Sequence, residues 1–172
     1  KSTCNVNRCA GVTALMKASL VFLVTLLFAL MLEALPFPDA FIWFRPEWAL
    51  LVILYWVIAL PYRVGVGVAW LLGIMVDLLQ GGVLGQHSLT YVIIAFTCAV
   101  FYQRLRMYHS WQQGVFVGLL VSISQLVDFC IDRYMGDAEP TLMIFIPAII
   151  TGALWPWSFI VLRSIRRMYA IR

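Results

Sequence analysis

Val64-Gly65-Val66-Gly67-Val68-Ala69-Trp70-Leu71-Leu72-Gly73-Ile74-Met75-Val76-Asp77-Leu78-Leu79-Gln80-Gly81-Gly82 is the stretch on which the fold turns. It is an apolar run with a single charge, Asp77, and it ends in paired glycines. Gly65, Ala69, Gly73 and Asp77 recur at every fourth residue, which places them on one face of a helix. A stripe of small residues lets a second backbone approach closely and draws the aspartate into the seam. The following Gly81-Gly82-Val83-Leu84-Gly85 reads as a tight turn into another helix.

The same apolar character extends outward in both directions. Hydrophobic residues make up 63% of the 172-residue chain, charged residues only 12%, and the mean hydropathy is +0.94. A soluble domain needs more charge than this to cover its core, so the solvent expected for the chain is a lipid bilayer. A spanning helix takes roughly 20 mostly apolar residues. The runs fall at about Ala18 to Leu35, Pro46 or Glu47 to Pro61, Val64 to Gln80, Ser88 to Gln103, Gln112 to Ile131 and Thr141 to Leu162. The expected fold is therefore an all-α integral membrane protein, a six-transmembrane-helix bundle in one domain over residues 16–172. Met16-Lys17 opens the first run, and residues 1–15 are expected to form a flexible extension without helical periodicity. The first run lacks a small-residue cleavage site and is expected to remain as an anchor. Pro147 and Pro156 are expected to kink the last helix.

Charge gives the orientation. With the N-terminus inside, the inner segments hold Lys1, Arg8, Lys17, Arg63, Arg104, Arg106, Arg163, Arg166, Arg167 and Arg172, against Arg45 and Arg133 outside. That asymmetry predicts an inner-membrane protein with both termini in the cytoplasm. The formal charge of +4 does not point to nucleic acid, because the basic residues sit at helix ends and form no dense stripe. The basic tail at Arg163, Arg166 and Arg167 is suited to anionic lipid or to a cytoplasmic partner. Cys98 and Cys130 lie in apolar runs and read as small apolar fillers; the four cysteines show no zinc spacing and no disulfide framework.

An ionisable group at membrane depth costs at least about 2.5 kcal/mol on insertion scales. Glu33, Asp77 and Asp128 each fall a few residues before the outer end of an outward-running helix, and so share the outer leaflet. Ser122, Gln125, Asp128 and Asp132, spaced three or four apart, share a face that cannot point at lipid. Gly114 and Gly118 form a Gly-x-x-x-Gly contact. These signals together suggest that the third and fifth spans pack in the bundle interior. One reading makes the acids structural, satisfied by Arg45, Arg133 or backbone amides. The other makes them an outward-facing polar pocket or docking surface, with Glu33, Arg45, Asp77, Gln80, Gly81, Gly85, Gln125 and Asp128 as its residues. Trp155, Pro156 and Trp157 read either as interface anchors near the cytoplasmic face or as part of a partner groove. His87 and His109 fall on opposite sides of the membrane, and no Ser-His-Asp set, His-Glu-x-x-His helix or Walker loop occurs, so no catalytic residue, metal or cofactor is expected.

Specific runs then go beyond class. Phe44-Arg45-Pro46-Glu47-Trp48, Tyr55 to Gly67, Gly73 to Gly81, Trp111-Gln112-Gln113 and Gly152 to Trp157 together resemble, in order, the rod shape-determining MreD family. The resemblance implies a non-enzymatic scaffold subunit of the elongation machinery that builds side-wall peptidoglycan. Its direct partner would be MreC, a single-span protein with a periplasmic domain; MreB, RodA and the transpeptidase partner of RodA would belong to the same complex. It also implies a shape similar to the six-helix substrate-binding subunits of vitamin-uptake transporters. A small-molecule-binding or transport subunit using the acidic pocket is the competing function. Gln80-Gly81-Gly82 stands where family members often carry Ser-Gly, and residues 104–110 match the family poorly.

Overall fold

The computed structural model describes residues 3–35, 44–60, 64–81, 84–135 and 142–168, without the side chains of 3–17, 135 and 142. All regular structure in these residues is helical: α1 (Thr3–Glu33), α2 (Trp48–Ala59), α3 (Val66–Gln80), α4 (Gln86–Leu105), α5 (Ser110–Met135) and α6 (Ile146–Met168). A 3-10 turn at Leu142–Phe145 leads into α6. Three of the helices, α4, α5 and α6, are long and apolar enough to cross a membrane; the described part of α1, with α2 and α3, forms shorter apolar helices. The first helix begins at Thr3 and runs without a break past the boundary expected at residues 15–16.

The centre of the bundle belongs to α2, not to the third and fifth spans. Ala49, Leu50, Leu51, Ile53, Leu54, Tyr55, Trp56, Val57 and Ile58 are all buried, so most of this helix is covered, with Trp48 and Val52 half-buried at an open cleft. A helix that is apolar all round is stable only inside such a shell, and α1, α3, α4 and α6 all pack on it. By contrast, α3 turns Trp70, Leu71, Met75, Leu78 and Leu79 outward, and α5 turns out Val115, Leu119, Ile123 and Leu126. Cys98 is buried in the core and Cys130 is exposed.

Two tight seams hold the shell together. In the α3–α4 seam, a Cβ added to Gly73 would lie 2.4 Å from the Ser88 Cα. The small-residue stripe is in contact only at Ala69, Gly73 and Asp77, which are buried, whereas a Cβ on Gly65 would meet nothing within 4 Å. In the α5–α6 seam, a Cβ on Gly114 would lie 2.7 Å from the Gly152 carbonyl oxygen, and one on Gly152 would lie 3.2 Å from the Gly118 Cα. Pro156 sits inside α6 and has no amide to offer the carbonyl four residues back. That carbonyl is Gly152, the same group that rests against Gly114. Pro147 lies in the first turn of α6, where a missing amide costs nothing.

Candidate functional site

The C-terminal ends of α1, α3 and α5 meet the N-terminal ends of α2, α4 and α6, and the described acids gather there. Asp77, in the last turn of α3, is buried. Its Oδ2 accepts the Gly85 amide at 2.8 Å and its Oδ1 accepts the His87 amide at 3.0 Å. Gly85 is the N-cap of α4, with φ of 101°, and has no side chain to cap with. Asp77 supplies the missing cap from the neighbouring helix, satisfying orphan donors and placing an acid at the positive end of α4. His87 Nδ1 lies 2.8 Å from Asp77 Oδ1, and the Ser88 hydroxyl donates to Oδ2 at 3.3 Å. Gly81 ends α3 in the left-handed region, with φ of 69°, where glycine fits without strain.

Glu33 performs the same task one hairpin earlier. It is buried at the end of α1, and its Oε2 accepts the Ala49 amide in the first turn of α2 at 3.3 Å. Its Oε1 lies 3.6 Å from the Arg45 guanidinium and accepts from exposed Gln80 at 3.4 Å. The amide of Glu47 donates to Thr151 of α6 at 3.1 Å, which ties the start of α2 to the far side of the bundle. Two of the three membrane-depth acids thus hold the entrances of the helices that follow them.

Asp128 differs. Gln86 donates to its backbone carbonyl at 3.4 Å and to the Asp132 carboxylate at 3.1 Å, but Asp128 Oδ1 is buried without a partner. Glu47 Oε2, Gln125 Oε1 and Arg45 Nε are buried and unpartnered as well, although Gln125 Nε2 reaches Glu47 Oε1 at 3.1 Å. Polar atoms orphaned in this way cost about 1–3 kcal/mol each. Ser122 does not join the cluster: its hydroxyl bonds back to Gly118 at 2.9 Å, and the residue lines a shallow groove on the α5–α6 face. Among the described residues, no group of three or more His, Cys, Asp or Glu is placed to hold a metal ion.

The remaining candidates separate. Trp155 is fully buried, and its indole N–H donates to Gln113 Oε1 at 3.3 Å, so it is a core strut and not an interface anchor. Trp157, two residues on, is 77% exposed. Pro156 lines the α5–α6 groove. Arg163, Arg166 and Arg167 lie at the opposite end of the molecule from the acids, with Arg104 and Arg106 at the end of α4. His87 sits in the first turn of α4 and His109 lies beyond its last, so the helix holds them about 30 Å apart at 1.5 Å per residue. Gly85 is among the expected pocket residues, but the contacts of Asp77 with His87 and Ser88, and its capping of α4, are not visible in the periodicity. Their signal is an acid in the last turn of one helix, followed across a glycine turn by a helix whose own N-cap is glycine.

A family model described as rod shape-determining protein MreD matches residues 15–165. The chain belongs to the MreD family. The match runs from α1 to the last turns of α6, so it takes in the acid end and both seams. The rod shape-determining protein MreD of Haemophilus influenzae is 37% identical over 139 residues, covering 81% of this chain and 86% of that relative. No solved structure matches the chain. Membership of the MreD family makes this a rod shape-determining membrane protein, consistent with its long apolar helices.

Proposed function

We propose that the protein is a non-enzymatic scaffold of the bacterial elongation complex, crossing the inner membrane six times with both termini in the cytoplasm. In this reading it binds MreC directly and supports side-wall peptidoglycan synthesis alongside MreB, RodA and the transpeptidase partner of RodA. The MreD family match along almost the whole helical domain carries the proposal. The charge split agrees with the orientation: among the described residues, Arg104, Arg106, Arg163, Arg166 and Arg167 occupy one end, and all the acids the other. In this reading the bundle also shares the general form of the substrate-binding subunits of vitamin-uptake transporters, as the family resemblance implies.

For the single membrane helix of MreC we assign the cleft between α1 and α6, whose floor is α2. It has a volume of about 440 Å³ and a lining that includes Val24, Phe28, Leu51, Leu154, Trp157 and Val161. Within lipid, helices associate by close packing, and an apolar cleft between two helices offers a surface for it. Val24 and Val161 are exposed on its walls, so Val24→Trp and Val161→Trp fill the cleft without entering the core. Each variant is expected to remain folded and to retain less than a tenth of the MreC that co-purifies with the unaltered protein. Full MreC retention by both would overturn this assignment.

The competing reading, a small-molecule-binding or transport subunit, draws on the partnerless atoms of Arg45, Glu47, Gln125 and Asp128. It predicts a retained small molecule and an associated ATPase. Stoichiometric MreC with neither of these decides for the scaffold.

A further inference from the structure

At the end opposite the acids, α2, α4, α5 and α6 enclose a cavity of about 180 Å³ that includes Tyr55, Arg106, Gln113, Phe159, Arg163 and Arg166 in its lining. Gln113 is 3% exposed and fully engaged: its Nε2 donates to the Leu105 carbonyl at 2.7 Å and the Tyr108 carbonyl at 3.2 Å, and its Oε1 accepts from Trp155. It is therefore a rigid wall that fixes the α4–α5 connection against α6. Tyr55 is 2% exposed, and its ring is held edge-on by Trp56 and Phe159, each at a centroid distance of 5.6 Å. Its hydroxyl is buried and has no hydrogen-bond partner. Phenols buried this deeply ordinarily find one.

Arg106, Arg163 and Arg166 have no carboxylate partner among the described residues, whose acids all lie at the far end. Arg106, Arg163, Arg166 and Tyr55 line one concave space whose lining includes no acidic group. The complement of that set is a compact oxyanion with several acceptor oxygens. Planar guanidinium forks match phosphate geometry, and a neutral hydroxyl adds direction. The volume is below the roughly 300 Å³ at which drug-sized ligand sites begin, so it suits one phosphate group with its ester arms. Exposed Ile160 and Val161 lie within a turn of Arg163, so in a bilayer the pocket would fall near the border between lipid tails and headgroups.

We propose that this pocket is a phosphate site in which Arg106, Arg163, Arg166 and the Tyr55 hydroxyl hold a phosphate ester, supplied by a lipid headgroup or by a soluble phosphate. The site depends neither on MreC binding nor on which side of the membrane the arginines face. Loss of MreC retention with phosphate binding intact would sink the scaffold reading alone.

The test uses the full chain, purified free of lipid in detergent and titrated separately with phosphatidylglycerol, diacylglycerol and inorganic phosphate. Binding is read by native mass spectrometry and by the rise in Tm. Phosphatidylglycerol is expected to bind and stabilise, and diacylglycerol, which has the same tails without phosphate, to do neither. Tyr55→Phe should weaken binding about three- to tenfold, and Arg163→Gln with Arg166→Gln at least tenfold. Arg104→Gln with Arg167→Gln, outside the lining, should change it less than twofold. Stabilisation by inorganic phosphate that Tyr55→Phe abolishes assigns a soluble source; its absence, with phosphatidylglycerol still bound, assigns the lipid. The proposal is overturned if neither phosphate probe binds, if diacylglycerol serves as well, or if the outer arginine pair matters as much as the inner pair. Should the double variant not fold, the near-isosteric Tyr55→Phe decides, and unchanged binding there also overturns it.

Discussion

At the acid end, Glu33 and Asp77 each reach across a hairpin to hold the opening amides of the next helix, at 3.3 Å for Ala49 and at 2.8 and 3.0 Å for Gly85 and His87. At the arginine end, Arg106, Arg163 and Arg166 line the same cavity as Tyr55, whose buried hydroxyl has no partner. Both ends bring ionisable groups to a membrane protein, yet Glu33 and Asp77 are engaged by backbone amides, whereas the three arginines have no carboxylate partner among the described residues. At the acid end itself, Asp128 and Glu47 each keep a buried oxygen unpaired. Charge at membrane depth is thus no guide to function by itself; what separates structural groups from available ones is whether their hydrogen-bonding capacity is filled from within.

The sharpest way to break the acid end is to force α3 from α4. Gly73→Leu puts a side chain where even a Cβ would lie 2.4 Å from the Ser88 backbone, and backbone cannot swing aside. A loss of about 3 kcal/mol or more is expected, seen as failure to recover monodisperse protein. Asp77→Ala leaves the Gly85 and His87 amides without their acceptor and should cost about 2 kcal/mol, measured by thermal unfolding in detergent. Asp77→Asn keeps one acceptor oxygen and is expected to lose roughly half as much. At the arginine end, Gln113→Ala uncouples the α4–α5 connection from Trp155 and should cost about 1–2 kcal/mol, while lowering protection of the Leu105 to Tyr108 segment in hydrogen exchange. Gly65→Ala is the baseline: its added Cβ meets nothing, and Tm should move by less than the equivalent of about 0.5 kcal/mol.

Several of these features are legible in the amino-acid sequence. The helix seams at Gly73 and at Gly114 with Gly118 follow from spacing alone, since small residues every fourth position have few other uses in lipid. Asp77 was legible as a seam residue for the same reason. Its partners were not, because a carboxylate capping another helix leaves no periodic trace on either strand of sequence. The central place of α2 was hidden as well: a run buried by protein and a run bathed in lipid are equally apolar. Trp155 and Trp157 looked like one feature, but two residues of helix turn the chain by about 200°, enough to put the first in the core and the second outside. Arg106 and Arg163 lie 57 positions apart, and only the fold reveals that they share a cavity with Tyr55.

The shortness of α2 has an electrical consequence. Its 12 residues extend about 18 Å at 1.5 Å per residue, against about 30 Å for the hydrocarbon layer. Polar groups crowd both of its ends, so the insulating part of the molecule is thinnest along its own axis. Any voltage across the lipid would fall over this short plug, and the local field there would be steeper than in the surrounding bilayer.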